Sequence, residues 1–475
     1  MNALRKLFHQ YWNSPGAMTA ASVLARAGAM ATPLPILYTF FDETLVAYWL
    51  LLITFQSIVG GLSGSLPTIA MQMLSYAEAG SRRLTGSIED HSIGRSDGPN
   101  RALKARVNHA LAQVFTFVAL LWIIAAGTIG TAVVWGNIQQ LSSESDGIWM
   151  WVIFIALSAI RLKLQPLMAY LFAVGHTALA RRTESWAWGL GAIITPLGLW
   201  LTHDPIIGLL CLYAPLLLQN ILIRRAAISE GLEFDVEGTE EYRPYRIVGL
   251  IWERAWRGTV GTLLGMLTIY GSGFILAQYS EPGPLAGYLL AVNLIGIIQQ
   301  IAISPLYGAM PSMAVCYVRG DLSMLHARAD HVIRRSVWVM TVLMLPVPVV
   351  FVLVNNLGIR VAFVTPLVWA ALCVSIFIVR YGAIHLHLFT VTNEIRLHIA
   401  NGLFAVFCLL PLVILNEPPL LAYPIIQGCA AILYSVYARR QTFKALAYPL
   451  SRDVYLAFLP TVILLLGLSL QIFYL

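Results

Sequence analysis

The chain has 475 residues, of which 58% are hydrophobic and 11% charged, with a mean hydropathy of +0.74. That composition excludes a soluble globule and defines a polytopic helical membrane protein. The net charge of +7 needs no nucleic-acid partner, because the excess of bases lies in loops on one side of the membrane, where it faces an anionic inner leaflet.

Apolar runs long enough to cross a roughly 30 Å hydrocarbon core, about 20 residues at 1.5 Å each, fall at 17–41, 44–74, 109–136, 148–175, 184–202, 205–223, 257–279, 284–316, 336–354, 361–391, 397–415, 419–438 and 453–474. The first twelve form a body and the last is an additional C-terminal helix. Met1–Ser14 is amphipathic and lacks the apolar stretch of a cleavable signal, so the first span serves as the targeting signal. The bases fix the orientation. Arg5 and Lys6 precede the first span, and Arg82, Arg83, Arg95, Arg101, Lys104 and Arg106 follow the second. The same alternation continues to Arg439, Arg440, Lys444 and Arg452. Of the 30 Lys and Arg, only Arg360 falls in an outer connection, and Arg26, Arg161, Lys163 and Arg380 lie inside spans. The N-terminus and the even-numbered connections are therefore cytoplasmic. The cysteines, Cys211, Cys316, Cys373, Cys408 and Cys429, lie within spans without paired spacing, so neither disulfides nor a metal site is expected. No Gly-x-x-x-x-Gly-Lys-Ser/Thr run exists, so ATP is not the direct energy source.

The two halves of the chain show weak self-similarity. Ala47-Tyr48-Trp49-Leu50-Leu51 pairs with Gly287-Tyr288-Leu289-Leu290-Ala291, each opening a span that later carries a proline, Pro67 or Pro311, and exits at a glycine, Gly80 or Gly320. Leu171–His176 pairs with Leu388–Asn393 in a register that aligns Ser158 with Ser375 and Lys163 with Arg380. Both matches place spans two and four on spans eight and ten, as a parallel six-plus-six duplication requires. The domain reading is a six-helix bundle over 1–225, a cytoplasmic linker over 226–256 with an interfacial helix at Arg246–Arg257, a second bundle over 257–445, and the extra helix over 446–475.

The segment from Pro284-Leu285-Ala286-Gly287-Tyr288 through Pro311-Ser312-Met313-Ala314 to Arg319-Gly320-Asp321-Leu322 resembles the seventh-to-eighth-helix pattern of the multidrug/oligosaccharidyl-lipid/polysaccharide (MOP) exporter superfamily, and within it the Wzx-type polysaccharide flippases. Val46-Ala47-Tyr48 through Pro67 resembles the first-half counterpart. The resemblance implies an all-α MOP/MATE-like fold with two pseudo-symmetric six-helix bundles, residence in the bacterial inner membrane, and alternating access for a lipid-linked oligosaccharide. It also implies work alongside a polysaccharide polymerase and other assembly proteins. No cofactor is expected, and a proton or sodium gradient is the remaining energy source.

The embedded residues point to the ligand. A cation within a span costs about 2.5–3.5 kcal/mol by insertion scales, and the 23 carboxylates are read as lying outside the apolar stretches, so an anion is expected to offset Arg26, Lys163, Arg380 and Arg161. All four fall at the centre or in the cytoplasmic half of their spans, which suits capture of a phosphate or pyrophosphate headgroup made on that side. Arg161 and Lys163, two residues apart, project about 200° apart on a helix, and the repeat register favours Lys163 as the lining residue. The alternatives are snorkelling or capping of carbonyls near Pro166 for Lys163 and Arg380, bonding to the carbonyls of a neighbouring helix for Arg161, and a contact at the helix kink near Pro33 and Pro35 for Arg26. His385 and His387 are candidates for proton coupling, with a satisfied core histidine as the alternative for each. Pro33, Pro35, Pro67, Pro305, Pro311, Pro346 and Pro348 are candidate bends.

Three functions remain: a flippase for polyprenyl-pyrophosphate-linked oligosaccharide, a cation-coupled multidrug exporter of the same fold, and a membrane enzyme acting on lipid-linked glycans. Cation-coupled drug export calls for an embedded carboxylate, and the enzyme calls for reactive groups on a large outer loop. The flippase leads on both counts. Reporter fusions test the topology: fusions in the 75–108 and 226–256 connections should read as cytoplasmic, and one after Leu475 as external. A cytoplasmic reading after Leu475 would remove the thirteenth crossing.

Overall fold

The computed structural model describes residues 12, 14–63, 66–78, 98–232, 244–318, 320–392, 397–415, 417–448 and 450–474. The amphipathic Met1–Ser14 reading, the central parts of the 75–108 and 226–256 connections, and Arg319 and Asn393 lie largely or wholly outside them. The regular elements among the described residues are helices, with α-helices in the order α1 Pro15–Ala31, α2 Leu34–Phe40, α3 Glu43–Ser63, α4 Leu66–Glu78, α5 Arg101–Ala125, α6 Thr131–Gln139, α7 Glu144–Ala173, α8 Thr177–Thr202, α9 Pro205–Ser229, α10 Pro244–Leu276, α11 Pro282–Val318, α12 Leu322–Met344, α13 Val347–Asn356, α14 Pro366–Phe389, α15 Leu397–Ile414, α16 Ala422–Leu446 and α17 Leu450–Tyr474.

Among these residues eleven helical segments are long and apolar enough to cross a membrane. The helices α8 and α16, of 26 and 25 residues, match them in length but are more polar, and with them every expected span has its helix. Two of the candidate bends break a helix where proline removes a backbone donor, whereas Pro305 and Pro311 lie inside the continuous α11. Thr32 and Pro33 separate α1 from α2, and Leu345 and Pro346 separate α12 from α13. One expectation changes. The interfacial helix at Arg246–Arg257 is not separate but continues into the next span as the 33-residue α10. The helix that carries the fifth span starts ahead of it, at Thr177, because Gly175 adopts φ 90° and closes α7, with His176 N–H donating to the Leu171 carbonyl at 2.8 Å. A glycine in this left-handed position ends a helix without steric cost, and the following helix can begin at once. Glu184 is thereby two turns inside α8.

Two compact units emerge, Met1–Pro33 with Val59–Ala132 and Ser143–Val260, and Leu34–Ile58 with Val133–Ser142 and Gly261–Leu475. The chain leaves the first unit for the second directly after the proline break of the first span. In the first unit, one apolar core joins Leu66, Ala70 and Met73 of α4, Leu103, Val107 and Leu111 of α5, Leu167 and Leu171 of α7, and Ile223 and Ala227 of α9, the i, i+3, i+4 stripe of a buried helix face. Here Gly130 lies against the Trp151 ring, and Trp151 Nε1 donates to Thr131 Oγ1 at 2.9 Å.

The second unit relies on polar contacts between helices, which stabilise packing where lipid gives no hydrophobic drive. Asn293 Nδ2 donates to Thr54 Oγ1 at 3.0 Å, Tyr288 OH to Ser272 Oγ at 2.8 Å, and Gln427 Nε2 to the Thr268 carbonyl at 2.9 Å. At the start of α12 the Asp321 carboxylate accepts the Met324 N–H at 3.0 Å, a bond that holds its pKa below the usual carboxylate range. Helix α14 packs along α16 through Gly382, where a Cβ would come within 2.8 Å of the Ser435 Cα and 2.8 Å of the Tyr434 ring. Gly382→Ala should therefore destabilise the protein by about 1–3 kcal/mol, since overpacking against backbone cannot relax by a rotamer change. Thermal unfolding in detergent checks this; an unchanged midpoint would show that α14 and α16 separate freely.

Candidate functional site

Small residues set up the charged centre of the first unit. Gly28 and Ala29 of α1 meet Ala192 and Gly191 of α8 at ordinary van der Waals distance from a Cβ, and Thr32 Oγ1 donates to the Ala192 carbonyl at 2.7 Å. This approach of α1 to α8 brings Arg26 over the buried Trp188 ring, 5.7 Å from its centroid. Arg161 of α7 lies over the same ring at 5.0 Å. Two guanidinium groups thus share one indole, an arrangement the negative face of the ring favours.

One turn before Trp188 on the same face of α8 is Glu184. Its carboxylate accepts from Arg181 Nη1 at 2.7 Å and is 17% exposed, and both Arg161 and Arg26 lie within electrostatic range of it. Glu184 is thus a carboxylate largely enclosed by protein, paired with one arginine and in range of two more, and the cluster keeps a net positive charge. Tyr213 of α9 borders the two stacked arginines, and its hydroxyl is 3.4 Å from Ser158 Oγ. Arg161 Nη1 is shut off from the surface and has no hydrogen-bond partner, and the same holds for Gln165 Oε1 one turn along α7.

The other sequence candidates are distributed differently. Lys163 is exposed on α7, on the face away from Arg161, as the 200° offset requires. In the second unit Arg380 is buried on α14, and its Nη2 donates to Gln299 Oε1 of α11 at 2.8 Å. His385 is buried, with its ring edge-on to Tyr381 at 5.0 Å and tilted against Tyr448 at 6.3 Å, and Tyr448 OH donates to Asp330 Oδ1 at 2.5 Å. His387 is only partly buried and lies within electrostatic range of Arg380. Of the four embedded bases, the first unit brings Arg26 and Arg161 together, and the second holds Arg380 on a neutral amide. Glu184, Trp188 and Gln299 are absent from the sequence candidates. Gly175 could have exposed Glu184, since it shortens the connection before α8.

No protein-family profile and no curated protein matches the sequence. Solved structures do match. An inward-facing multidrug resistance MATE family transporter of the MOP superfamily superposes with a TM-score of 0.63 at 10% identity, over 90% of this chain and 94% of that one. A Vibrio cholerae MATE transporter variant, VcmN, gives 0.61 at 11% identity over 94% and 99%. A MATE in the bent conformation gives 0.59 at 12% identity over 94% and 98%. The chain has the MATE fold. Coverage this complete means that the MATE fold accounts for nearly all the described helices, and the sequence distance leaves the charged cluster to be read on its own chemistry.

The Arg380–Gln299 bond supplies a stability test. Gln299→Leu removes the carbonyl acceptor from a buried guanidinium and should cost about 1.5–3 kcal/mol, as for hydrogen bonds to charged groups. Adding Arg380→Leu should restore part of the loss. Thermal unfolding of the single and double variants measures the coupling; additive losses would show that the bond contributes little.

Proposed function

We propose that the protein is a transporter that flips a polyprenyl-pyrophosphate-linked oligosaccharide from the inner to the outer leaflet of the bacterial inner membrane by alternating access. The observation that carries this reading is the Arg26–Trp188–Arg161 stack, with an enclosed guanidinium nitrogen that has no acceptor. Arginine presents a fork that matches phosphate oxygens, and a pyrophosphate would supply the acceptors the stack lacks. Arg380 adds a second embedded cation, and Lys163 an exposed one. The N-terminus is read as cytoplasmic, a proton or sodium gradient as the energy source, and a polysaccharide polymerase as a partner.

A second reading, cation-coupled multidrug export, draws support from Glu184, an enclosed carboxylate of the kind such coupling calls for. It is also in keeping with the multidrug resistance transporter among the structural matches. Against it stands the local charge, three arginines to one glutamate, which repels a cationic drug.

Charge reversal separates the two. Arg26→Glu replaces attraction by repulsion for an anionic headgroup, and it should abolish export and leave polyprenyl-linked sugar accumulated in the inner leaflet. Arg161→Gln and Arg380→Ala should reduce export with the protein still folded, and Lys163→Arg should be milder than Lys163→Ala. Normal surface polysaccharide in the Arg26→Glu strain together with altered sensitivity to cationic dyes would replace the flippase by the drug exporter.

A further inference from the structure

The capture reading uses the arginines and leaves Glu184 without a role. This carboxylate is mostly enclosed, holds Arg181 of its own helix at 2.7 Å, and lies one turn before Trp188, over whose ring Arg161 of α7 and Arg26 of α1 are stacked, within electrostatic range of both. From α9 the titratable group bordering the arginines is Tyr213, whose hydroxyl is engaged near Ser158. Glu184 is the only carboxylate that acts on Arg161 in this neighbourhood among the described residues. It occupies the electrostatic place that an incoming anion would take.

We propose that Glu184 is a proton-linked counter-anion, which neutralises Arg26 and Arg161 in the empty protein and takes up a proton when a phosphate or pyrophosphate headgroup replaces it there. The inference rests on the capture reading. In the empty state the carboxylate is ionised, paired with Arg181 and in the field of the Arg26 and Arg161 guanidinium groups. When the headgroup arrives, two of those cations turn to its oxygens and its own negative charge comes close to Glu184. Both changes favour the protonated carboxyl. The proton comes from solution on the side from which the headgroup enters, and the Glu184 oxygen accepts it; no other bond forms or breaks. Release on the other side reverses the sequence, since Arg161 and Arg26 are freed and the ionised carboxylate is favoured again. Anion and proton therefore travel together, so an inward proton gradient opposes outward flipping unless the return of the empty protein carries protons by another group.

Linkage sets the sign. Because binding raises the proton affinity of Glu184, affinity for the anion is low and flat above the bound-state pKa. It rises by about tenfold per pH unit as pH falls between the bound-state and free-state values, and it is high and flat below both. The probe is a short-chain polyprenyl-pyrophosphate-linked sugar, a diester with no ionisation of its own in the neutral range, added to the full-length protein in detergent. Its affinity is measured against pH, and proton uptake is followed with an indicator dye in weak buffer. Wild type should take up roughly one proton per probe bound inside that window. Glu184→Gln should bind tightly with no pH slope, and Glu184→Asp should keep the slope with its window displaced. Arg161→Gln is the control for the capture reading: if it binds the probe as well as wild type, that reading fails. If it binds weakly while wild type takes up no proton, or while Glu184→Gln keeps the full slope, the capture reading stands and the role of Glu184 is overturned. Should Glu184→Gln not fold, the wild-type proton count still decides, because binding without uptake refutes the link.

Discussion

Holding positive charge inside an apolar helix bundle is the constraint on which the first unit depends. Each embedded guanidinium costs about 2.5–3.5 kcal/mol by insertion scales, whereas a desolvated stack on an aromatic ring returns about 2 kcal/mol. Trp188 alone therefore leaves Arg26 and Arg161 undercompensated, and Glu184 adds an opposite charge within electrostatic range of both. The carboxylate in turn needs Arg181. The result is a cluster that is stable as a folded structure yet keeps unused hydrogen-bonding capacity at Arg161, the combination that a binding site needs and a purely structural ion pair does not.

Placement of that cluster follows from backbone approach rather than from the charges. A helix pair separated by leucines would hold Arg26 too far from α8 to stack on Trp188. Gly28, Ala29, Gly191 and Ala192 remove that bulk, and van der Waals packing of small residues is what drives helix association in lipid. The proline break at Thr32–Pro33 ends α1 immediately beyond the contact, so the segment carrying Arg26 packs with the first unit while the residues from Leu34 belong to the second. Charge, small-residue packing and proline are thus three constraints met within a dozen residues of one helix.

Much of the fold was legible in the sequence because membrane helices carry a strong signal: long apolar runs separated by basic loops. The expected spans have their helices, and the resemblance to the MOP superfamily agrees with the MATE fold. The site was legible only in part. Arg26 and Arg161 stood out because cations inside apolar runs are rare. Glu184 did not, since hydropathy places a span boundary at the first polar residue, and a helix can carry two polar turns before its apolar run. Trp188 and Gln299 were invisible for another reason. An aromatic or amide residue in a membrane helix is common, and only tertiary packing turns one of them into the partner of a charge.

The internal repeat shows how far sequence register carries environment. Ser158 and Ser375, aligned by that register, are both buried, the first facing Tyr213 of α9 and the second donating to Gln427 of α16 at 3.0 Å. Each lies on the fourth helix of its half against the sixth, so the duplication preserves the helix pairing. Five residues on, the register pairs an exposed Lys163 with a buried Arg380. The backbone arrangement survives while the charge chemistry diverges, because packing constrains buried serines in both halves whereas a buried base depends on the partners its own half supplies. In the second half that partner is Gln299. In the first half the buried base is instead Arg161, two residues earlier, where Trp188 and Glu184 provide for it. The two halves of the chain thus share a fold and have solved the burial of a cation separately, one with a neutral amide and the other with an aromatic ring and a carboxylate.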